Sequence, residues 1–463
     1  MFKRYIGDRA FYRRVMGVVV PIIIQNGITN FVSLLDNIMV GQIGTLQMSG
    51  VSIVNQLMFV FNLCIFGAVS GAGIFTAQFY GSGDHEGVRH TFRFKFLSAM
   101  LLTVLGAGVF ILAGQPLIRL YLQGEGDPKD VAMTLAYGAD YLRIMLLGLL
   151  PFALANAYSS TLRETGQTMV PMVSGIIAVG VNLVFNYILI FGHFGAPEMG
   201  VRGAAIATVI SRYVELAIVA GWTHLHGERN PFIQGAYRSM WVPRALLISI
   251  IVKGMPLLIN EALWATGMAI LNQCYSIRGL DVVAAMNISS TLSNLASVVF
   301  LSMGNCVGII IGQMLGAGKP EAEVRDADNK LIALSVVSCL LFGALMVLCS
   351  DLFPQIYNTT ESVRHIATRL IWIGAALMPC HAYCNAAYFT LRSGGQTMVT
   401  FLFDSCFVWC CSVPAAFCLS RFTALPIISL YLICNCLELI KCALGYYMIR
   451  KGTWIQNLAK SES

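Results

Sequence analysis

Apolar residues run through this chain in long blocks, and the polar ones gather in short clusters between them. Blocks of about 20 residues or more, bounded by Gly, Pro and charge, predict helices long enough to cross a hydrocarbon layer. There are twelve, near 15–38, 51–79, 92–115, 131–162, 170–192, 201–225, 245–273, 284–316, 328–352, 363–391, 398–419 and 425–449. Several exceed the crossing length, which predicts tilt or protrusion. The blocks fall into two sets of six because the chain repeats itself. Pro21, Asn37, Gly44, Gln78, Gly81 and Gly83 recur 235 positions on as Pro256, Asn272, Gly279, Gln313, Gly316 and Gly318. At an offset of 229, Asn156, Leu162 and Arg163 match Asn385, Leu391 and Arg392, and the run Gly166 to Val170 returns intact as Gly395 to Val399. A unit this long is a duplicated half, not a solenoid repeat. In membrane chains such halves place a binding site between them.

Composition supports lipid as the main solvent. The chain is 57% hydrophobic and 11% charged, against about 25% charged in a soluble domain. The net charge of +7 says less than its placement. Lys3, Arg4, Arg9, Arg13, Arg14, Arg89, Arg93, Lys95, Arg163, Arg229, Arg238, Arg244, Lys319, Arg325, Lys330, Arg392, Arg450, Lys451 and Lys460 fall on one side of the predicted spans. Arg119, Lys129, Arg202, Arg278, Arg364 and Arg421 fall on the other. That bias puts both termini in the cytoplasm. Six helices per half is an even number, so the halves enter the membrane from the same side and are parallel repeats. The expected domains are an N-lobe over 1–225, a cytoplasmic linker over 226–244 and a C-lobe over 245–463. The basic segment Met1 to Arg14 and its apolar sequel resemble a secretory signal. No small-residue cleavage site follows, and the repeat aligns this stretch with 253–274, so it reads as a retained first span. Of 14 cysteines, 13 lie in the second half, mostly inside apolar runs and with no CxxC pair. They read as small packing side chains rather than as a metal or disulfide framework.

A charge in mid-membrane costs at least about 2.5 kcal/mol on insertion scales. Three acids stand in apolar runs with no cation at helical spacing in their own segment: Asp36, Glu261 and Asp404. A desolvated carboxylate can carry a proton or neutralise a cation, which is what an ion-coupled pump needs; the plainer role is a satisfied hydrogen bond. Arg212 with Glu215, Asp140 with Arg143 and Glu438 with Lys441 are three apart and are expected to pair locally. Asn182 and Asn186 share a helical face and, with Asp36, predict an oxygen-rich cluster suited to a hard cation. Gly73, Ala77 and Gly81, and again Gly308, Gly312 and Gly316, recur every fourth residue, the spacing that lets helices approach closely.

Several motifs together resemble the multidrug and toxic compound extrusion family. The string Asp36 to Gly44 after a proline-interrupted helix is similar to its first-helix signature. Ala77 to Gly83 resembles its AQ-x-x-G-x-G segment, and Leu162 to Thr168 its LR-x-x-G-[DQ]-T loop, present twice. Asn182 to Gly192 and Gly200 to Thr208 resemble its fifth and sixth helices. The resemblance covers essentially the whole chain. It implies an all-α integral membrane protein whose twelve helices form two six-helix parallel-repeat lobes around a V-shaped central cavity. It implies an antiporter in a bacterial inner membrane, exporting organic, often cationic amphipathic compounds in exchange for Na+ or H+ and needing no cofactor. By transfer onto matching positions, Asp36 would bind the coupling ion, with Asn182, Asn186 and Thr208 completing the site; members often carry Asp where this chain has Asn186. In the C-lobe, Glu261 lies about one turn from the glutamate of one branch, and His381 replaces that branch's aspartate in helix 10. Asp404 is then a candidate for the missing carboxylate, and Trp264 a cavity wall one turn from Glu261.

No enzyme is expected. His85-Glu86-Gly-Val-Arg-His90 misses HExxH by one residue, and neither a Walker A loop nor a GxSxG elbow occurs. A flippase or transporter of a specific lipid-linked or metabolite substrate is the alternative. Acids rather than cations at the cavity positions favour cationic cargo. Membrane lipid is the expected environment, no nucleic-acid partner is expected, and the chain is read as a monomer.

Overall fold

The computed structural model describes residues 5–122, 127–357 and 359–461. Among them every regular element is helical. The chain runs through α1 (Arg9–Gly41), α2 (Thr45–Ser82), α3 (His85–Tyr121), α4 (Pro128–Glu164), α5 (Met169–Phe191), α6 (Val201–Leu225), α7 (Arg244–Ser276), α8 (Leu280–Gly316), α9 (Glu321–Cys349), α10 (Glu361–Ser393), α11 (Thr397–Phe422), α12 (Ile427–Lys451) and the short α13 (Leu458–Ser461). The helices α2 to α12 are each long and apolar enough to cross a membrane. With α1 they make the twelve that hydropathy predicts. They overrun the predicted ends, α2 reaching 38 residues.

Local chemistry sets the boundaries. Asp84 Oδ1 accepts from Gly87 N at 2.9 Å to open α3, and Asp127 Oδ1 accepts from Lys129 N at 3.0 Å ahead of Pro128 to open α4. A 3-10 turn at Leu146–Gly148 interrupts α4. In α11, π-helical turns occupy Leu402–Cys406 and Val408–Ser412. The twice-written loop folds the same way both times. Gln167 N donates to Leu162 O and Gln396 N to Leu391 O, around Gly166 at φ 83° and Gly395 at φ 75°. Those left-handed backbones are why both copies need glycine.

Polarity is distributed as lipid demands. Along α3, Leu101, Val104, Ile111 and Leu112 are exposed while Lys95 is completely buried.

Contacts divide the chain into two compact units. The C-unit comprises Met1–Ile23, Ala77–Gly83 and Ser249–Ser463; the N-unit comprises Ile24–Thr76 and Asp84–Ile248. Within the C-unit, the C-terminal ends of α2 and α8 cross at the small residues the spacing predicts. A methyl at Gly316 would lie 1.8 Å from Gln78 O, and one at Gly81 would lie 2.0 Å from Gln313 O. The contact is reciprocal, as two copies of one motif require. The segment after α12 seats on this crossing. Gln78 donates to Ser393 O and Gln456 O and accepts from Leu458 N, and Trp454 is fully buried.

Within the N-unit, the segment between α6 and α7 is held by α3. Arg93 donates to Ala236 O at 2.8 Å, Gly235 O at 3.1 Å and Trp241 O at 3.2 Å. The Tyr237 hydroxyl meets that of Tyr158, and burial raises Tyr237 above the ordinary phenol range. Lys95 pairs with Glu164 and donates to Ser160 Oγ at 2.9 Å, in space that only a glycine at 73 leaves open.

Candidate functional site

Three helices of the N-unit bring their polar side chains to one place. Asp36 projects from α1, Asn182 and Asn186 from successive turns of α5, and Thr208 from α6. Asn186 Nδ2 donates to Asp36 Oδ1 at 2.6 Å and to Asn182 Oδ1 at 3.2 Å. The Asn182 amide has two useful orientations. In one its nitrogen donates to Thr208 Oγ1 at 3.3 Å and its oxygen faces Asp36; in the other its nitrogen donates to the Asp36 oxygens at 2.9 and 3.1 Å. Thr208 Oγ1 in turn donates to Ala204 O at 3.0 Å. Asn186 Oδ1 is buried with no hydrogen-bond partner. With Asn182 in the first orientation, three kinds of oxygen converge: carboxylate, amide and hydroxyl. A monovalent cation or a proton resolves the acceptor-on-acceptor contact that this orientation creates.

Sequence reasoning missed Tyr141 on α4, a buried phenol hydrogen-bonded to Thr208. It stands directly after Asp140 and two residues before Arg143, and those charges draw attention from the phenol between them. Arg212 and Glu215 were expected to pair, but among the described residues they make no direct ion pair: Arg212 donates to Gly148 O at 3.2 Å and lies 4.8 Å over the Phe152 ring, and Arg163 is the stronger of the two cations that act on Glu215. Asp140 meets Arg143 at 3.7 Å as expected, and meets Arg202 more closely at 2.7 Å.

The C-unit has its own polar centre. Asp404 Oδ1 is 2.6 Å from Lys441 Nζ of α12, and Asp404 Oδ2 accepts from Asn260 Nδ2 of α7 at 3.1 Å. Asn260 Oδ1 also accepts from Ser405 N and Ser405 Oγ, which fixes α7 against α11. The expected local partner of Lys441, Glu438, faces His381 instead, with Oε2 3.9 Å from Nδ1. The correction has a geometric cause. The ammonium reaches the α11 carboxylate at full hydrogen-bonding distance, a charge-assisted bond stronger than the i,i+3 contact on its own helix. Glu261, one residue after Asn260, has no hydrogen bond among the described residues; Arg392 and Asp404 are the charges that act on it. Trp264 is 43% exposed. Neither Asn260 nor the Asp404–Lys441 pair was anticipated, because one is an amide beside a more conspicuous acid and the other spans 37 residues of sequence. Among the described residues no cluster of three or more His, Cys, Asp or Glu is arranged to hold a metal, and all 14 cysteines are free thiols.

Among the described residues, long apolar helices with polar centres buried inside them define a multi-pass helical membrane protein. A family model described as MatE matches residues 21–188 and 256–418, one block for each copy of the repeat. The chain belongs to that family, the multidrug and toxic compound extrusion transporters. It is similar to the probable multidrug resistance protein NorM of Thermotoga maritima, 23% identical over 444 residues, with 93% of this chain and 91% of that protein covered. It is also similar to the multidrug resistance protein PmpM of Pseudomonas aeruginosa, 26% identical over 411 residues, with 88% and 84% covered. The crystal structure of MATE in complex with MaD3S superposes with a TM-score of 0.85 at 18% identity, covering 97% of both chains. That likeness establishes the fold.

Proposed function

We propose that the protein is a secondary active antiporter that exports organic, cationic amphipathic compounds in exchange for Na+ or H+. The exchange proceeds by alternating access of two six-helix lobes (1–225 and 245–463, with 226–244 as linker). It works as a monomer in a bacterial inner membrane with both termini in the cytoplasm. The observation that carries this reading is the Asp36 cluster: a membrane-embedded carboxylate whose partners are amides, with Asn186 Oδ1 left unpartnered beside it. Asp36 holds the coupling ion; Asn182, Asn186 and Thr208 complete its oxygen shell. On the C-lobe side Glu261 meets the positive charge of the cargo, Trp264 forms the cavity wall, and His381 and Asp404 shape the polar floor. The names of the relatives above support small-molecule efflux, and acids at these positions support cationic cargo by charge complementarity.

The test is efflux of a fluorescent organic cation such as ethidium from cells, under an imposed sodium gradient and then an imposed proton gradient. Efflux that follows one gradient and disappears in Asp36→Asn is the expected result, and it names the ion. Absence of efflux under both gradients, with folded protein in the membrane, transfers the assignment to a flippase or specific-metabolite transporter. Efflux surviving Asp36→Asn removes Asp36 from the mechanism.

A further inference from the structure

Each unit contains one acid held by side-chain amides, but only one of the two acids has a cation built against it. Asp36 is surrounded by neutral groups, and among the described residues no ammonium or guanidinium acts on it. Asp404 has Lys441 Nζ on one oxygen at 2.6 Å and Asn260 on the other at 3.1 Å. Lys441 is buried, and its ammonium also lies 5.4 Å from the centre of the Phe403 ring. Each carboxylate oxygen of Asp404 is therefore already met by a donor, and its charge is already balanced.

The repeat shows that the lysine is not a common requirement of the fold. The helices α6 and α12 are both 25 residues long. Aligned end to end, Arg212 corresponds to Glu438 and Glu215 to Lys441, so the same two positions are charged with the signs exchanged. At the repeat offsets, Asn260 corresponds to Gln25 and Asp404 to Gly175. Gln25 does pack against Gly175, its side chain 3.3 Å from where a methyl at 175 would stand. The N-unit therefore has no acid at the α5 position that matches Asp404; its acid on that side is Glu215, at the lysine's position on α6. Conversely, the C-unit has Leu271 where the N-unit has Asp36, inside an apolar cluster. The amide-held acid thus stands at a different level in each copy, with only amide donors on Asp36 and an ammonium on Asp404.

We propose that Lys441 is a tethered stand-in for a coupling cation. Its ammonium fills on Asp404 the place that a mobile ion fills on Asp36. The C-unit carboxylate then takes no ion from solution, and ion coupling belongs to the N-unit alone. This inference rests on the antiport reading above. It makes Lys441 a residue that sets coupling stoichiometry without touching the exported compound. Removing the ammonium leaves a desolvated carboxylate that must recruit a sodium ion or a proton. The protein then moves one more ion per cycle.

The experiment uses full-length protein in liposomes, with ethidium as probe and graded sodium or proton gradients. Equilibrium accumulation is plotted against the gradient on logarithmic axes, so that the slope counts coupled charges. In Lys441→Met the slope rises by one, giving about tenfold more ethidium for each tenfold of imposed gradient. In Asp404→Asn/Lys441→Met the slope returns to the wild-type value, whatever the rate. A purely structural ion pair alters rate and stability but not slope. An unchanged slope in transporting Lys441→Met overturns the proposal. So does a double variant whose slope falls one below wild type, because Asp404 then carries a mobile ion in the native protein, and so does a folded double variant with no transport. Failure of the antiport reading looks different: the wild type itself follows neither gradient, and the inference falls with it.

Discussion

Replacing Gly316 by alanine adds one methyl group where the backbone of α2 already is. Its Cβ would lie 1.8 Å from Gln78 O and 2.5 Å from the Gln78 carbonyl carbon. Non-bonded carbon does not approach oxygen closer than about 3 Å, so the two helix ends must part by about 1 Å or more. Overpacking of that kind costs about 1–3 kcal/mol. The displacement also reaches the Gln78 side chain, which holds Ser393 O at 2.8 Å, Gln456 O at 3.2 Å and Leu458 N at 2.6 Å. Losing two of these adds about 1 kcal/mol each. The sum is about 3–5 kcal/mol, so the thermal midpoint of the detergent-purified protein, followed by fluorescence-detected gel filtration, falls on the order of 5 °C or more. Gly108→Ala in α3 is the comparison, because nothing lies within 4 Å of a methyl there. In a helix interior that change is neutral or stabilising by about 0.5–1 kcal/mol. If Gly316→Ala melts with the wild type, or if Gly108→Ala falls as far, the close-crossing argument is wrong.

Other expectations are as specific. Lys95→Met takes the buried ammonium from the half-buried Glu164 and costs about 1–3 kcal/mol, while Lys95→Met/Glu164→Gln recovers most of the loss; thermal midpoints of the three proteins check this. Arg93→Ala releases three carbonyls of the segment between α6 and α7, and limited trypsin digestion of purified protein then cuts after Arg238 faster than in wild type. Asn186→Asp sets a second carboxylate oxygen beside Asp36, at the 2.6 Å contact. On the antiport reading, that change strengthens the hold on the coupling cation about tenfold, read as a rise in thermal midpoint with added sodium where sodium is that ion, or with falling pH where it is the proton. Asn260→Leu removes the donor to Asp404 Oδ2 and the acceptor of Ser405, which costs about 1–3 kcal/mol in the same melting assay.

How far the sequence alone reaches depends on the range of the interaction. The helices were legible because an apolar run of fixed length has one physical use in lipid. The duplication was legible because glycine, proline and glutamine recur at fixed offsets. The Asp36 cluster was legible in part, since Asn182 and Asn186 lie on one face by helical periodicity, while Tyr141 carries no periodic signature. The C-unit was read less well. Spacing along α12 pointed Lys441 to Glu438, but the shorter contact crosses to α11. Local spacing ranks partners on one helix and is blind to the neighbour that offers a better distance. The turns in α4 and α11 had a local signal that went unread: Pro151 follows the 3-10 turn and Pro414 the second π turn, and each removes the N–H that the preceding turn would bond.

The reciprocal crossing of α2 and α8 also bears on how variants of this protein will be ranked in growing cells. A survival screen counts any substitution that lowers the amount of transporter in the membrane as a loss of resistance. Gly81 and Gly316 will therefore score beside Asp36, although neither carries charge nor touches the polar clusters. On the antiport reading proposed above, selection for resistance holds these glycines fixed for reasons of space and the acid for reasons of charge, and the two pressures look identical in a table of survivors. Only a screen that measures abundance and turnover separately will divide them.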